Sequence, residues 1–587
     1  MTRHARPSPE TPYAGGTDRT PSTPGAPGTD LAPSEPDVPT LALRVVPDGG
    51  RKDWSSSVPE TPDAAWSPAG GGRRLRVARA TLGAVLAVQA LLAFRRPPAV
   101  SPFEALSLVT GHAAMSGGAH EPWSVPGQAG APRSYPVLAA LADQLGGVDA
   151  ARTVSLALML LTTVLLYGLT TRLFNIRAGL CAAALFAVLP STAVLGGSAT
   201  PEAAGLCLLA AVAQLLVGTD RAVRWAALCA VMAAGLAVFT QHWTALGLPP
   251  VLLLAAVRTA GSGGRSGERA GRRSRAEGDG RARRRPGSGG AGRSGGRAVL
   301  VAVVASVMAV VVALVLRGAW LPGESLFPAV AGDGRSFSRS GPATGLLLAV
   351  ALVGAGFFLV RDRMGEHPSA LAARHVQGRG ARVLWIVAFL IAAVAPLTVA
   401  GAGGPSGYGL GPVAALTWFA APLAGVGTSR LMGRHFRFPQ AGIAVWTALL
   451  CAGLPQTDRW FAGDPDSARL VRFITPYAGA TGTYLGVPAE VPAYQLRRTV
   501  QPGQWTDCAG TTDGTRLGAS ADAAVTCARS VRAGEFRVIV LDGATRPAVQ
   551  AAVREALRGN AHYRLVAELG PYGTGTGAGY RIWVKAG

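Results

Sequence analysis

The sequence predicts an α-helical polytopic membrane protein of about 11 transmembrane helices, followed by a small C-terminal extracytoplasmic α/β domain. Three observations predict it. Apolar runs of roughly 17 residues or more recur along the chain, each long enough to cross a bilayer core as a helix. When the runs are alternated from a cytoplasmic N-terminus, the arginine-rich loops fall on one side, as the positive-inside rule requires. After about residue 456 the chain turns polar and mixed, with short apolar stretches of strand and helix character.

Composition agrees. Of the 587 residues, 49% are hydrophobic and 15% charged. The net charge of +23 would suggest a nucleic-acid partner in a soluble protein. Here the basic residues belong to membrane-flanking loops, so no nucleic acid is expected and the bilayer is the partner. All but Lys52 and Lys585 of the 56 basic residues are arginine, which with abundant Ala and Gly points to a GC-rich bacterial genome.

Residues 1–72 are rich in Pro, Ser, Thr, Gly and Asp and predict a disordered cytoplasmic tail. The membrane domain is 73–456, opening with a signal-anchor helix over 77–94 behind Arg73, Arg74, Arg76 and Arg79. The first outer loop, 95–150, predicts two short surface helices, from Ser101 and from about Ser134. Further spans are expected at 153–173, 178–197, 200–218, 224–240, 243–258, 298–317, 343–360, 383–401, 411–428 and 440–456. The loop 258–297 is low-complexity, basic and cytoplasmic. In 457–587, FRVIVLDG, YRLVAEL and YRIWVK read as strands, with RPAVQAAVREALRGN as a helix.

Several residues carry two readings. Glu104 is either a general base or the closing member of a Ser101-Pro102-Phe103-Glu104 capping box. Glu202, after Thr200 and Pro201, is either a functional acid or part of a helix start capped by Thr200. His112 and His120 share the outer loop and are candidate substrate ligands, with surface placement the alternative. Arg133, Arg152, Arg335 and Arg339 are candidates for a phosphate, since a guanidinium matches its oxygens. Trp123 and Trp320 are interfacial anchors or sugar platforms. Cys181, Cys207, Cys229 and Cys451 sit in apolar runs and read as small core residues, whereas Cys508 and Cys527 are a candidate extracytoplasmic disulfide. No spacing indicates a metal centre, and no cofactor is identified; a divalent cation is the one candidate.

The stretches FEALSLVTGH, then YPVLAALADQLGGVDAARTVSLALMLLTTVLLYGLTTRLFNIRAGLCAAALFAVLP, then LGGSATPEAAGLCLLA resemble glycosyltransferase family 39, the protein O-mannosyltransferase-like group of C-type membrane glycosyltransferases. VPAYQLRRTVQPGQW also resembles the outer-domain segment beyond the helices in its bacterial members. The resemblance implies a transferase of the bacterial plasma membrane. It would pass a sugar from a polyprenyl-phosphate donor to a protein, lipid or glycan acceptor on the outer face. It implies an Asp-Glu pair in the first outer loop, the Asp acting as base; here the pair is Phe103-Glu104. It places a second acid at Glu202, a basic-aromatic pair at Gln241-His242, making His242 a substrate-binding candidate, and an aromatic-proline turn at Tyr135-Pro136, either structural or a substrate-binding site where Tyr135 stacks on the sugar. Glu104 and Glu202 are therefore the expected catalytic residues. The rival classes are a non-catalytic relative that binds or scaffolds in envelope assembly, suggested by Phe103, and a transporter, disfavoured by the scarcity of midplane acids.

Overall fold

In the computed structural model the described residues are 68–95, 99–116, 134–218, 232–236, 335–360, 410–433, 438–462, 467–479, 481–506, 519–542, 547–570 and 579–586, with 244, 248, 251 and 386. The expected spans at 224–240, 243–258, 298–317 and 383–401, the loop 258–297, and residues 1–67 lie largely or wholly outside them.

The helices up to residue 462 are α1 (Pro68–Phe94), α2 (Pro102–Met115), α3 (Ser134–Leu173), α4 (Ile176–Ala187), α5 (Pro190–Gly197), α6 (Pro201–Gly218), α7 (Arg335–Val360), α8 (Leu410–Leu431) and α9 (Pro439–Ala462). α1 starts at Pro68, before the expected boundary at 73. Three described helices are long and apolar enough to cross a membrane singly: Leu75–Phe94, Ser134–Leu173 and Leu410–Leu431.

The second outer-loop helix is separate from the span that follows it, as expected: α3 is two helices joined across a kink. The two parts meet at Gly146 and Gly147, and Gly147 takes φ 73°, a conformation glycine reaches without Cβ strain. The span at 178–197 is broken instead of continuous: α4 and α5 bend by 66°. Pro190 is the cause. It lacks an N–H and drives Leu189 to an extended φ −74°, ψ 143°.

α8 is the centre of the bundle. Its residues from Leu410 to Thr428 are all buried, as an all-round apolar helix requires. Close packing comes from glycine. A Cβ on Gly354 of α7 would lie 1.9 Å from Leu423 O of α8, and one on Gly425 of α8 would lie 2.4 Å from Ala178 O of α4. Cys451 is exposed on α9, unlike buried Cys207, so it is not a core residue.

The remaining elements are α10 (Ser467–Ile474), β1 (Thr483–Val487), α11 (Glu490–Gln495), β2 (Trp505–Thr506), α12 (Ala519–Arg532), β3 (Phe536–Leu541), α13 (Pro547–Leu557), β4 (Tyr563–Glu568) and β5 (Arg581–Lys585). The strands form one sheet in the order β2-β1-β3-β5-β4, with β1 parallel to β2 and β3, and β5 antiparallel to β3 and β4. Side chains alternate between its two faces. Leu485, Val487, Ile539 and Leu541 pack under α12 and α13. Tyr484, Val538, Val540, Ile582 and Val584 face the other way, into a core shared with Ala105, Leu108 and Val109 of α2. The sheet and the first outer-loop helix therefore have a common core.

Candidate active site

The site is built where α2 begins. Ser101 is extended at φ −73°, ψ 156°, and caps the helix. Glu104 N donates to Ser101 Oγ at 3.4 Å, and Ser101 N donates to Glu104 Oε2 at 3.1 Å. The capping reading of Glu104 thus holds, but it is incomplete. The side chain is fully buried, and Arg152 from α3 grips it from the other side. Arg152 Nε donates to Oε1 at 3.0 Å and Nη2 to Oε2 at 3.2 Å. Ala199 N, in the turn between α5 and α6, donates to Oε1 at 2.8 Å. Each carboxylate oxygen accepts two hydrogen bonds, which fills the roughly four acceptor positions a carboxylate has. No acceptor position is left to take a proton from a substrate hydroxyl.

Arg152 is equally committed. Besides Glu104 it donates from Nη2 to Ala99 O at 2.7 Å and from Nη1 to Asp149 Oδ1 at 3.1 Å. It is 9% exposed. Its fork serves the protein, not a phosphate.

Glu202 lies in the first turn of α6, three residues beyond Ala199. It is 4% exposed, and among the described residues its Oε2 has no hydrogen-bond partner. Thr200 Oγ1 is likewise buried without a well-aligned hydrogen bond among the described residues, although its hydroxyl stands beside the Glu202 carboxyl. A buried carboxylate oxygen without a donor is costly and calls for a reason. Tyr135 sits close to both acids. It is 2% exposed, and its hydroxyl is hydrogen-bonded to buried Ser155. Burial pushes its pKa up, and the charges of Glu104 and Glu202 act in the same direction, so it stays a neutral phenol. Its ring is in the core, not open to stack on a sugar.

His112 is placed elsewhere, at the end of α2, with Nε2 2.7 Å from Asp143 Oδ2. The Asp143 side chain is fully buried and also receives Arg497 Nη2 at 2.8 Å and the Tyr494 hydroxyl at 2.5 Å. The Arg497 guanidinium lies over the Tyr494 ring, 4.3 Å from its centroid. Asp143 does not stand out in the sequence as a candidate. The available signal is its spacing: it stands four residues after buried Ala139, on the apolar face, where an acid requires partners.

His120, Arg133 and His242 lie outside the described residues, as do Trp123 and Trp320. Arg335 and Arg339 are in α7, but their side chains are not among those described. Cys527 is disulfide-bonded, and Cys508 lies outside the described residues. Among the described residues no three His, Cys, Asp or Glu side chains gather as a metal site.

Residues 134–263 match the family described as dolichyl-phosphate-mannose-protein mannosyltransferase. The ArnT crystal structure from Cupriavidus metallidurans in the apo state superposes with a TM-score of 0.50 at 16% identity, covering 89% of this chain and 99% of that one. The chain therefore shares the fold of that structure. ArnT from the same organism bound to undecaprenyl phosphate gives 0.49 at 14% identity, over 86% and 97% of the two chains. The archaeal oligosaccharyltransferase AglB from Archaeoglobus fulgidus, in complex with an inhibitory peptide and a dolichol-phosphate, gives 0.45 at 13%, over 82% and 72%. No curated protein matches the sequence. The segment that matches the family carries Asp143, Arg152, Ala199 and Glu202, that is, most of the site.

Proposed function

We propose that the chain is a membrane glycosyltransferase that takes a sugar from a polyprenyl-phosphate donor and passes it to an acceptor on the outer face of the bacterial plasma membrane. The N-terminus is then cytoplasmic and the C-terminal sheet extracytoplasmic. The matched family's description, which names a dolichyl-phosphate donor, supports the donor class. The observation that carries the reading is the buried Glu202 Oε2, without a partner among the described residues, on a turn pinned by Glu104.

In this reading Glu202 is the base and Glu104 the residue that positions it. An acceptor hydroxyl gives its proton to Glu202 as its oxygen bonds to the anomeric carbon. The bond from that carbon to the phosphate oxygen breaks, and polyprenyl phosphate leaves. Arg133, Arg335 and Arg339 are the cations proposed to stabilise the departing charge. Phe103, at the position the family resemblance gives to a base, contributes no proton acceptor.

Phe103 beside a saturated Glu104 also favours a second reading, a non-catalytic relative that retains the lipid-sugar pocket. Purified protein in lipid, supplied with labelled polyprenyl-phosphate sugars, separates the two. Turnover lost in Glu202→Gln establishes the enzyme and its base. Donor binding without turnover, unchanged in Glu202→Gln, establishes the receptor instead.

A further inference from the structure

We infer that His112, Tyr494 and Arg497 are positioning residues of the proposed active site, acting through Asp143. The inference rests on the site reading above for its effect on turnover, but not for its structural content.

Asp143 is enclosed by three elements. His112 reaches it from α2, the Tyr494 hydroxyl from α11, and Arg497 from the turn after α11. A fully buried carboxylate persists only where charge and hydrogen bonds offset its desolvation. Arg497 supplies the charge, and Tyr494 and His112 complete the shell. Burial, with the Asp143 carboxylate beside it, pushes the Tyr494 pKa up, so its hydroxyl remains a donor.

The consequence concerns α2. Glu104 stands at its first turn and His112 about two turns later, at its end. The two ends are held by two separate carboxylate clamps. The first ties α2 to α3 and to the turn before Glu202. The second ties α2 to α3 and to the sheet region. Between them Ala105, Leu108 and Val109 share one core with Tyr484, Val491 and Val538. The sheet region thus sets the pose of the helix that carries Glu104, and through Ala199 the pose of Glu202. VPAYQLRRTVQPGQW, with no catalytic group of its own, acquires a role.

The test uses the full chain in lipid, unaltered and as Arg497→Gln, Arg497→Lys and Tyr494→Phe. Amide exchange is followed in 102–115 and in β3 and β5, alongside donor turnover. In Arg497→Gln, exchange in 102–115 should rise roughly tenfold or more while β3 and β5 keep their protection. kcat should fall about tenfold with KM within about twofold, and Arg497→Lys should recover part of both. Unchanged exchange in 102–115 overturns the inference. So does equal loss of protection in β3 and β5, because the residues would then hold the sheet together and not α2. If the unaltered chain turns over no sugar, the proposed function fails by itself, and exchange alone still decides this inference.

Discussion

Arg152 holds Glu104 in a bidentate pair, with Nε and Nη2 at 3.0 and 3.2 Å, and the same carboxylate takes the Ala199 amide at 2.8 Å. One buried acid therefore joins the start of α2, the body of α3 and the turn before α6. The pair is structural first. Breaking one partner leaves the other charge buried, which costs about 3–5 kcal/mol. Arg152→Met should lower stability by that order, and Arg152→Lys by less. Thermal unfolding in detergent measures both.

Glu202→Gln should behave in the opposite way. It removes a carboxylate that is buried with one oxygen unpartnered among the described residues, so stability should hold or rise. Turnover should fall by about 10²–10⁴-fold, the range of general-base catalysis. A stable variant with full turnover would remove Glu202 from the mechanism.

Acid should open the clamp on Asp143. Burial pushes its pKa up, but the hydrogen bonds from His112 and Tyr494 and the charge of Arg497 together outweigh burial and hold it below the usual 3.8. A lowered carboxylate pKa stabilises the fold fully above the unfolded value, and that contribution is lost as pH falls through the folded value. Protection of 102–115 should thus hold at neutral pH and decline only below 3.8. In Asp143→Asn this acid-dependent part should be absent, and amide exchange against pH reads it.

Gly111→Ala should push α2 off α3. A Cβ there would lie 2.0 Å from Pro136 O, and backbone cannot yield as a flexible side chain can. The cost should be about 1–3 kcal/mol, as for overpacked cores. Gly83→Ala on α1, with nothing within 4 Å of its Cβ, is the control and should be tolerated. Comparison of unfolding midpoints tests the pair.

Much of the frame was legible in the sequence. The capping box at Ser101 and Glu104 was readable because it is local: four consecutive residues contain both partners. The start of α6 at Pro201 was readable from its proline, which favours the first helical position. The break at Pro190 was missed, although it is local and its proline was the available signal. Strands β3, β4 and β5 coincide with the stretches read as FRVIVLDG, YRLVAEL and YRIWVK. β2 has two residues, too few for a period to show, and β1 is buried at four consecutive positions, so no alternation marks it.

By itself the sequence determined an apolar helical bundle and its helix starts, because burial and capping act over a few neighbouring residues. The tertiary structure alone decided what the acids do. Glu104 meets Arg152 across 48 positions and Ala199 across 95, and Asp143 meets Arg497 across 354. Nothing in local spacing encodes such pairs. A carboxylate becomes a cap, a clamp or a base according to how many donors reach it, and only the packed chain brings those donors together.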